Sequence, residues 1–170
     1  AMRINKIAPL ATVALLLGVL GAQAQSDPAA VINVAETIPP SNLDPQQSTI
    51  GADWQAWQLG YQCLLTTDSS GAIQPQLAES YTVSADNKTY DFKLRPNVFF
   101  HNGDAMSAAD VIYSFKRLKE KGVPLLQGRF YPSLQSVAAD GDTVRFTLGG
   151  PDPSFIRNMA SPGVAGCAIL

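Results

Sequence analysis

The chain has 170 residues with 12 Lys plus Arg against 14 Asp plus Glu, a formal net charge of -2, and a length that fits about one domain of roughly 100 to 200 residues. Its basic residues are scattered, so it offers no electrostatic footprint for phosphate backbones, and nucleic acid is excluded as a partner. A single histidine excludes any metal site built on several imidazoles.

Arg3 and Lys6 precede an almost wholly apolar run over 7–21, and Ala22-Gln23-Ala24 follows as a small-x-small site. That order is a secretory signal peptide over 1–24, cleaved after Ala24, and its apolar run is shorter than the roughly 18 residues a membrane span needs. No cysteine near the cleavage site invites a lipid anchor, so a soluble periplasmic protein is expected. Cleavage would remove two of the 12 basic residues and none of the 14 acidic ones, leaving a charge of -4. In an oxidising compartment Cys63 and Cys167 permit one disulfide without requiring it, and two small buried apolar residues is the preferred reading.

In the mature chain, β-branched residues at 31–35 suit a strand that Pro39-Pro40 ends. Ser41-Asn42-Leu43-Asp44-Pro45 is turn chemistry, because Asn and Asp bond to nearby backbone and Pro disfavours helix before it. Trp54, Trp57, Leu59, Tyr61, Leu64 and Leu65 predict a helix from Asp53 to Leu65, closed by a turn at Thr67 to Gly71. Tyr90, Phe92 and Leu94 alternate with Thr89, Asp91 and Lys93 as a half-buried strand, paired through an Ala85-Asp86-Asn87-Lys88 turn with Tyr81-Thr82-Val83. Val98 to Phe100 resumes an extended course before the Asn102-Gly103 turn.

Ser107 and Asp110 head a helix from Ala108 to about Lys121, with the Ser hydroxyl free to cap a backbone N–H. Val111, Ile112, Phe115 and Leu118 form its buried stripe, Lys116, Arg117, Lys119, Glu120 and Lys121 its wet face, and Gly122 its stop. Thr143 to Leu148 alternates as another strand, entered by an Asp140-Gly141-Asp142 turn, and 151–159 reads as a turn and short helix. The apolar run at 164–170 reads as a truncated end.

Few motifs carry chemistry. His101 beside its Asn-Gly turn could pair with Asp104 in a secreted hydrolase, but no G-x-S-x-G elbow accompanies it and a plain turn histidine is the preferred reading. No G-x-x-x-x-G-K-[ST] phosphate loop occurs, and Asn87-Lys88-Thr89 reads as a hairpin turn before a glycosylation site. Two cysteines so far apart do not suggest zinc. Trp54, Trp57 and Tyr61 share a helical face and read mainly as core, although Trp54 could stand at a cleft edge. An interaction module presented to a membrane partner is a third reading, from a different class.

The segment PQLAESYTVSADNKTYDFKLRPNVFFHNGDAMSAADVIYSFKRL at 75–118 resembles the signature region of the family 5 extracellular solute-binding proteins, the dipeptide, oligopeptide and nickel binding proteins among them. The order of its parts carries the likeness: Leu77-Ala78-Glu79-Ser80, then Tyr90, Phe92, Leu94 and Arg95, then Phe100-His101-Asn102-Gly103, then Ser107-Ala108, Asp110-Val111 and Phe115. Asn42-Leu43-Asp44-Pro45 upstream and Asp142 to Leu148 with Pro151-Asp152-Pro153 downstream extend it over nearly the whole mature chain.

The resemblance implies an α/β (mixed α+β) fold of the periplasmic-binding-protein type II kind, here only as the first lobe and its inserted subdomain. It divides the chain into a first-lobe strand and cleft segment at 25–50, an inserted α+β subdomain at 51–165 and a return toward the first lobe at 166–170, the second lobe being absent. It implies a monomeric substrate-binding component of an ABC importer, with permease subunits in the inner membrane as partner, a peptide as ligand, and neither catalytic residue, metal nor cofactor. Nickel complexes, haem and oligosaccharides are alternatives on similar scaffolds. In this likeness 36–53 lines the cleft, with Thr37, Ile38, Asn42 and Trp54 as ligand contacts.

Overall fold

The computed structural model describes residues 37–48, 50–121, 130–161 and 167–170. The predicted signal peptide and its cleavage site, the strand at 31–35 and the Gly122 stop lie outside the described residues.

A short helix α1 (Gly51–Trp57) leads into a small hairpin of β1 (Leu65–Thr67) and β2 (Ile73–Pro75). The Asp68 carboxylate makes the hairpin turn, accepting the N–H groups of Ser70 at 2.9 Å and Ala72 at 3.0 Å. The predicted helix over 53–65 is therefore cut to its first half. After Trp57 the chain turns at 58–60, leaving Leu59 90% exposed, while Leu64 and Leu65 are buried on and beside β1 rather than on a helical face. Apolar residues at helical spacing were satisfied by a helix-then-strand, because Leu64 and Cys63 accept backbone bonds from Ala78 and Leu77.

Four strands then build the main sheet: β3 (Ala78–Val83), β4 (Thr89–Leu94), β5 (Leu134–Asp140) and β6 (Thr143–Leu148), in the antiparallel order β3-β4-β6-β5. Both predicted alternating segments are its central strands, β4 and β6, paired Phe92 to Val144 and Tyr90 to Phe146. The turns read from sequence join the hairpins, with Asn87 between β3 and β4 at φ 56° and Gly141 between β5 and β6 at φ 61°, where an L side chain is strained. β5 has no alternation to read, since a register shift between Leu134 and Ser136 breaks its period.

Helix α2 (Ala108–Lys121) lies against β5 and β6. Its start differs in one detail from the expected cap: the Ser107 hydroxyl and N–H both donate to Asp110 Oδ2, at 2.8 and 2.7 Å. Val111, Phe115 and Leu118 are buried, as their spacing predicts, whereas Ile112, expected in the same stripe, is only half-buried. Phe115 meets Phe146 and Tyr131 edge-on, with ring centroids 4.8 and 5.5 Å apart, and α3 (Phe155–Asn158) adds Phe155 beside Tyr90 and Phe146. The opposite face of the sheet is polar, with the Arg145 guanidinium bidentate on Asp91 at 2.7 and 2.8 Å and Lys93 on Glu79 at 2.6 Å.

Cys63 and Cys167 form a disulfide, with Cα atoms 5.4 Å apart. This corrects the preference for two unbridged thiols. Both side chains are buried as expected, but Ile169 donates its N–H to Gln62 O at 3.0 Å, and this pairing brings the two cysteines alongside each other.

Candidate functional site

The segment 41–58 is organised by buried polar groups. Asn42 Oδ1 accepts the Asp44 N–H at 2.9 Å, and Asp44 Oδ1 accepts the Gln46 N–H at 3.0 Å, two successive turns of the kind that Asn and Asp favour. Ser48 Oγ accepts the Ile50 N–H at 3.1 Å where the chain enters α1.

Asp53 closes the loop from below. It is fully buried, and its Oδ1 accepts the backbone N–H groups of Ser41 at 2.6 Å and Asn42 at 3.2 Å, while the Ser41 hydroxyl reaches Oδ2 at 3.2 Å. The Ser48 hydroxyl is the strongest of the donors that hold this carboxyl below the usual aspartate range, and together they outweigh the opposing effect of burial. The buried Trp57 adds a bond from its indole N–H to Asn42 O at 2.9 Å.

A second set of contacts reaches across 73 residues to α2. The Arg117 guanidinium is bidentate on the Asp44 carboxylate, with Nη1 to Oδ1 at 3.1 Å and Nη2 on Oδ2, and Nη1 also donates to Gln46 Oε1 at 2.8 Å. Gln46, 1% exposed, donates its amide N–H to Ser114 O at 2.9 Å. The Ser114 hydroxyl donates to Asp110 O and accepts the Leu170 N–H, at 2.7 and 2.9 Å. Burial pushes the Asp44 pKa up, but the bonds from Arg117 and the Gln46 N–H prevail, so the carboxyl sits below its ordinary value. Placing Arg117 on the wet face of its helix was thus incorrect: it is partly buried and paired with Asp44. The signal was the spacing of Asp110, Ser114 and Arg117, four and three residues apart, a polar stripe on one side of the helix.

The four residues expected to face a ligand fall in different settings. Thr37 is exposed and Ile38 is 62% exposed. Asn42 is half-buried and its side-chain oxygen is committed to the turn. Trp54 is half-buried on α1, one residue after Asp53, and its indole N–H is buried with no hydrogen-bond partner among the described residues. Asn42 and Trp54 thus belong to one pinned unit.

An open groove of about 550 Å³ lies beside this unit, lined among others by Leu59, Tyr61, Gln62, Phe99, His101 and Leu170. His101 is exposed, and the Asp104 carboxylate that a hydrolase would pair with it accepts instead from Asn102 Nδ2 at 2.7 Å. Among the described residues no group of three metal-ligating side chains comes together, and no helix is long and apolar enough to cross a membrane.

Residues 72–165, more than half of the chain and including β2, the four-stranded sheet, α2 and α3, match the family described as bacterial extracellular solute-binding proteins, family 5 middle. The chain belongs to this family. It is 34% identical over 143 residues to di/tripeptide-binding protein 1 of Pseudomonas aeruginosa, covering 72% of this chain and 27% of that protein. Glutathione-binding protein GsiB of Pectobacterium atrosepticum is 33% identical over 134 residues, covering 78% of this chain and 26% of its own length.

Among solved structures, the periplasmic binding protein DppA of Helicobacter pylori in complex with the peptide STSA superposes with a TM-score of 0.68 at 30% identity, over 78% of this chain and 29% of that one. The oligopeptide-binding protein AppA of Bacillus subtilis, in complex with a nonapeptide, gives 0.68 at 29% identity, over 78% and 26%. The fold is therefore that of part of a periplasmic binding protein, and the family's members are binding proteins rather than enzymes. The chain spans about a quarter of the length of these relatives.

Proposed function

We propose that the chain is part of the substrate-binding component of an ABC importer, which takes up peptides, or a small solute of similar kind, in the periplasm and delivers them to permease subunits in the inner membrane. One observation supports this beyond family membership. A segment whose backbone is pinned from beneath by buried Asp53 and Trp57 projects apolar side chains outward, with Ile38 62%, Leu43 66% and Ile50 46% exposed. A rigid backbone carrying wet apolar side chains is what one wall of a two-sided cleft requires, since the ligand and the opposing wall complete its burial.

In this reading 25–50 belongs to the first lobe, 51–165 is the inserted subdomain and 166–170 returns toward the lobe. Thr37, Ile38, Asn42 and Trp54 stand on the cleft side, with Asn42 acting through the turn it holds. The protein is exported through cleavage after Ala24, acts as a monomer and performs no chemistry on its ligand. Isothermal titration of the intact protein with dialanine, trialanine and glutathione is expected to give heat and a matching thermal upshift for at least one of them. Silence toward all three would count against peptide uptake.

A further inference from the structure

We infer that Arg117 is a positioning residue for the solute site: its guanidinium, on a helix of the sheet subdomain, sets the conformation of the 42–48 turn and thereby the affinity of the cleft wall that this turn supports. The inference rests on the importer reading and goes beyond it, because Arg117 lies outside the segment 36–53 expected to line the cleft.

The geometry is specific to arginine. Three acceptor atoms on two residues of the turn, Asp44 Oδ1, Asp44 Oδ2 and Gln46 Oε1, converge on one planar guanidinium. The pair is partly withdrawn from solvent, with side-chain exposures of 20% for Arg117 and 28% for Asp44. Gln46 is held at both ends of its amide, accepting from Arg117 and donating to Ser114 O, and at 1% exposure it has no water to fall back on. Removing the guanidinium would take the donor from the buried Gln46 Oε1 and leave the Asp44 carboxylate with the Gln46 N–H but without its counter-charge, the situation that drives local rearrangement. The Asp53 and Trp57 bonds would still hold residues 41 and 42, so the disturbance should be confined to the stretch from Leu43 to Ile50, both of whose end side chains are exposed on the proposed wall. A wall that must be re-formed on binding costs affinity that a fixed wall does not.

The test compares intact wild-type protein with Arg117→Gln and Arg117→Lys, by amide hydrogen exchange and by titration with dialanine, trialanine and glutathione. Arg117→Gln is expected to speed exchange at the Asp44, Gln46 and Gln47 amides while leaving the β4 and β6 amides unchanged, and to weaken binding about tenfold. Arg117→Lys should fall between, because an ammonium restores the charge but cannot serve three acceptors in one plane. Unchanged exchange over 44–47 in Arg117→Gln overturns the inference, and so does faster exchange with wild-type affinity. Failure of the wild-type protein to bind any of the three peptides would overturn the peptide-uptake reading, and with it the affinity claim, whereas the exchange result is read without ligand and separates the two failures.

Discussion

Asp53 shows how one side chain can organise a loop through neutral donors: these are the Ser48 and Ser41 hydroxyls and the N–H groups of Ser41 and Asn42. Asp53→Asn keeps the shape but replaces an acceptor-only group with one that brings two donors of its own, so a lowered melting midpoint is expected, with faster amide exchange at Ser41 and Asn42. The sign of the pH dependence follows from the same bonds. Asp53, Asp44 and Asp91 all have folded-state values below the ordinary 3.8, so at lower pH the unfolded chain takes up protons first. Their contribution is complete above about pH 4 and is lost as pH falls through the folded values, which an acid titration followed by indole fluorescence would show. At this scale the sequence was partly readable. Asn42 and Asp44 announced a turn by residue type, whereas Arg117 was misplaced because a cation between Lys116 and Lys119 looks like any solvated charge, and its partner lies 73 residues away.

Helix α2 and strands β4 and β6 were legible because each buries one face against one neighbour, so its period survives in the residue pattern. Their meeting point is Phe115, enclosed by Phe146 and Tyr131. Phe115→Ala should destabilise the protein by about 3 to 5 kcal/mol, the range for emptying a buried aromatic site, and chemical denaturation monitored by far-ultraviolet dichroism would measure it. A loss below 1 kcal/mol would mean that the helix and the sheet do not share a core. Elements whose faces are shared or interrupted were not legible in the same way. β5 carries a register shift and only two half-buried apolar positions, three residues apart, and α1 gives way to β1 within a run that keeps helical spacing. In that run the deciding interactions are backbone bonds from Leu77 and Ala78 to Cys63 and Leu64, which no local pattern encodes.

Over the whole molecule, the segment 167–170 is held against residues 62–63 and against α2 by three links, one covalent and two hydrogen-bonded. They are the Cys63–Cys167 disulfide, the Ile169 N–H on Gln62 O and the Leu170 N–H on the Ser114 hydroxyl. Ser114 also accepts Gln46 through its carbonyl, so this segment, the 42–48 turn and α2 share one buried polar residue. Neither cysteine could reveal the link in sequence, since a separation of 104 residues says nothing about proximity. The separation does set the size of the effect: closing a loop of about 100 residues removes chain entropy from the unfolded state worth roughly 3 to 5 kcal/mol, somewhat offset by whatever structure that state retains. The double variant Cys63→Ala, Cys167→Ala should therefore melt about 10 °C below the oxidised wild type, and reduced wild type should approach the variant. Because the S–S bond has no exposed surface, reduction of the native protein should be slow and should accelerate with denaturant. Amide exchange completes the test: in the variant it should rise first at Ile169 and Leu170, then at Gln46, while β4 and β6 stay protected. A loss of protection spread evenly over the sheet would show instead that the bridge supports the core as a whole and that the segment 167–170 has no separate stability.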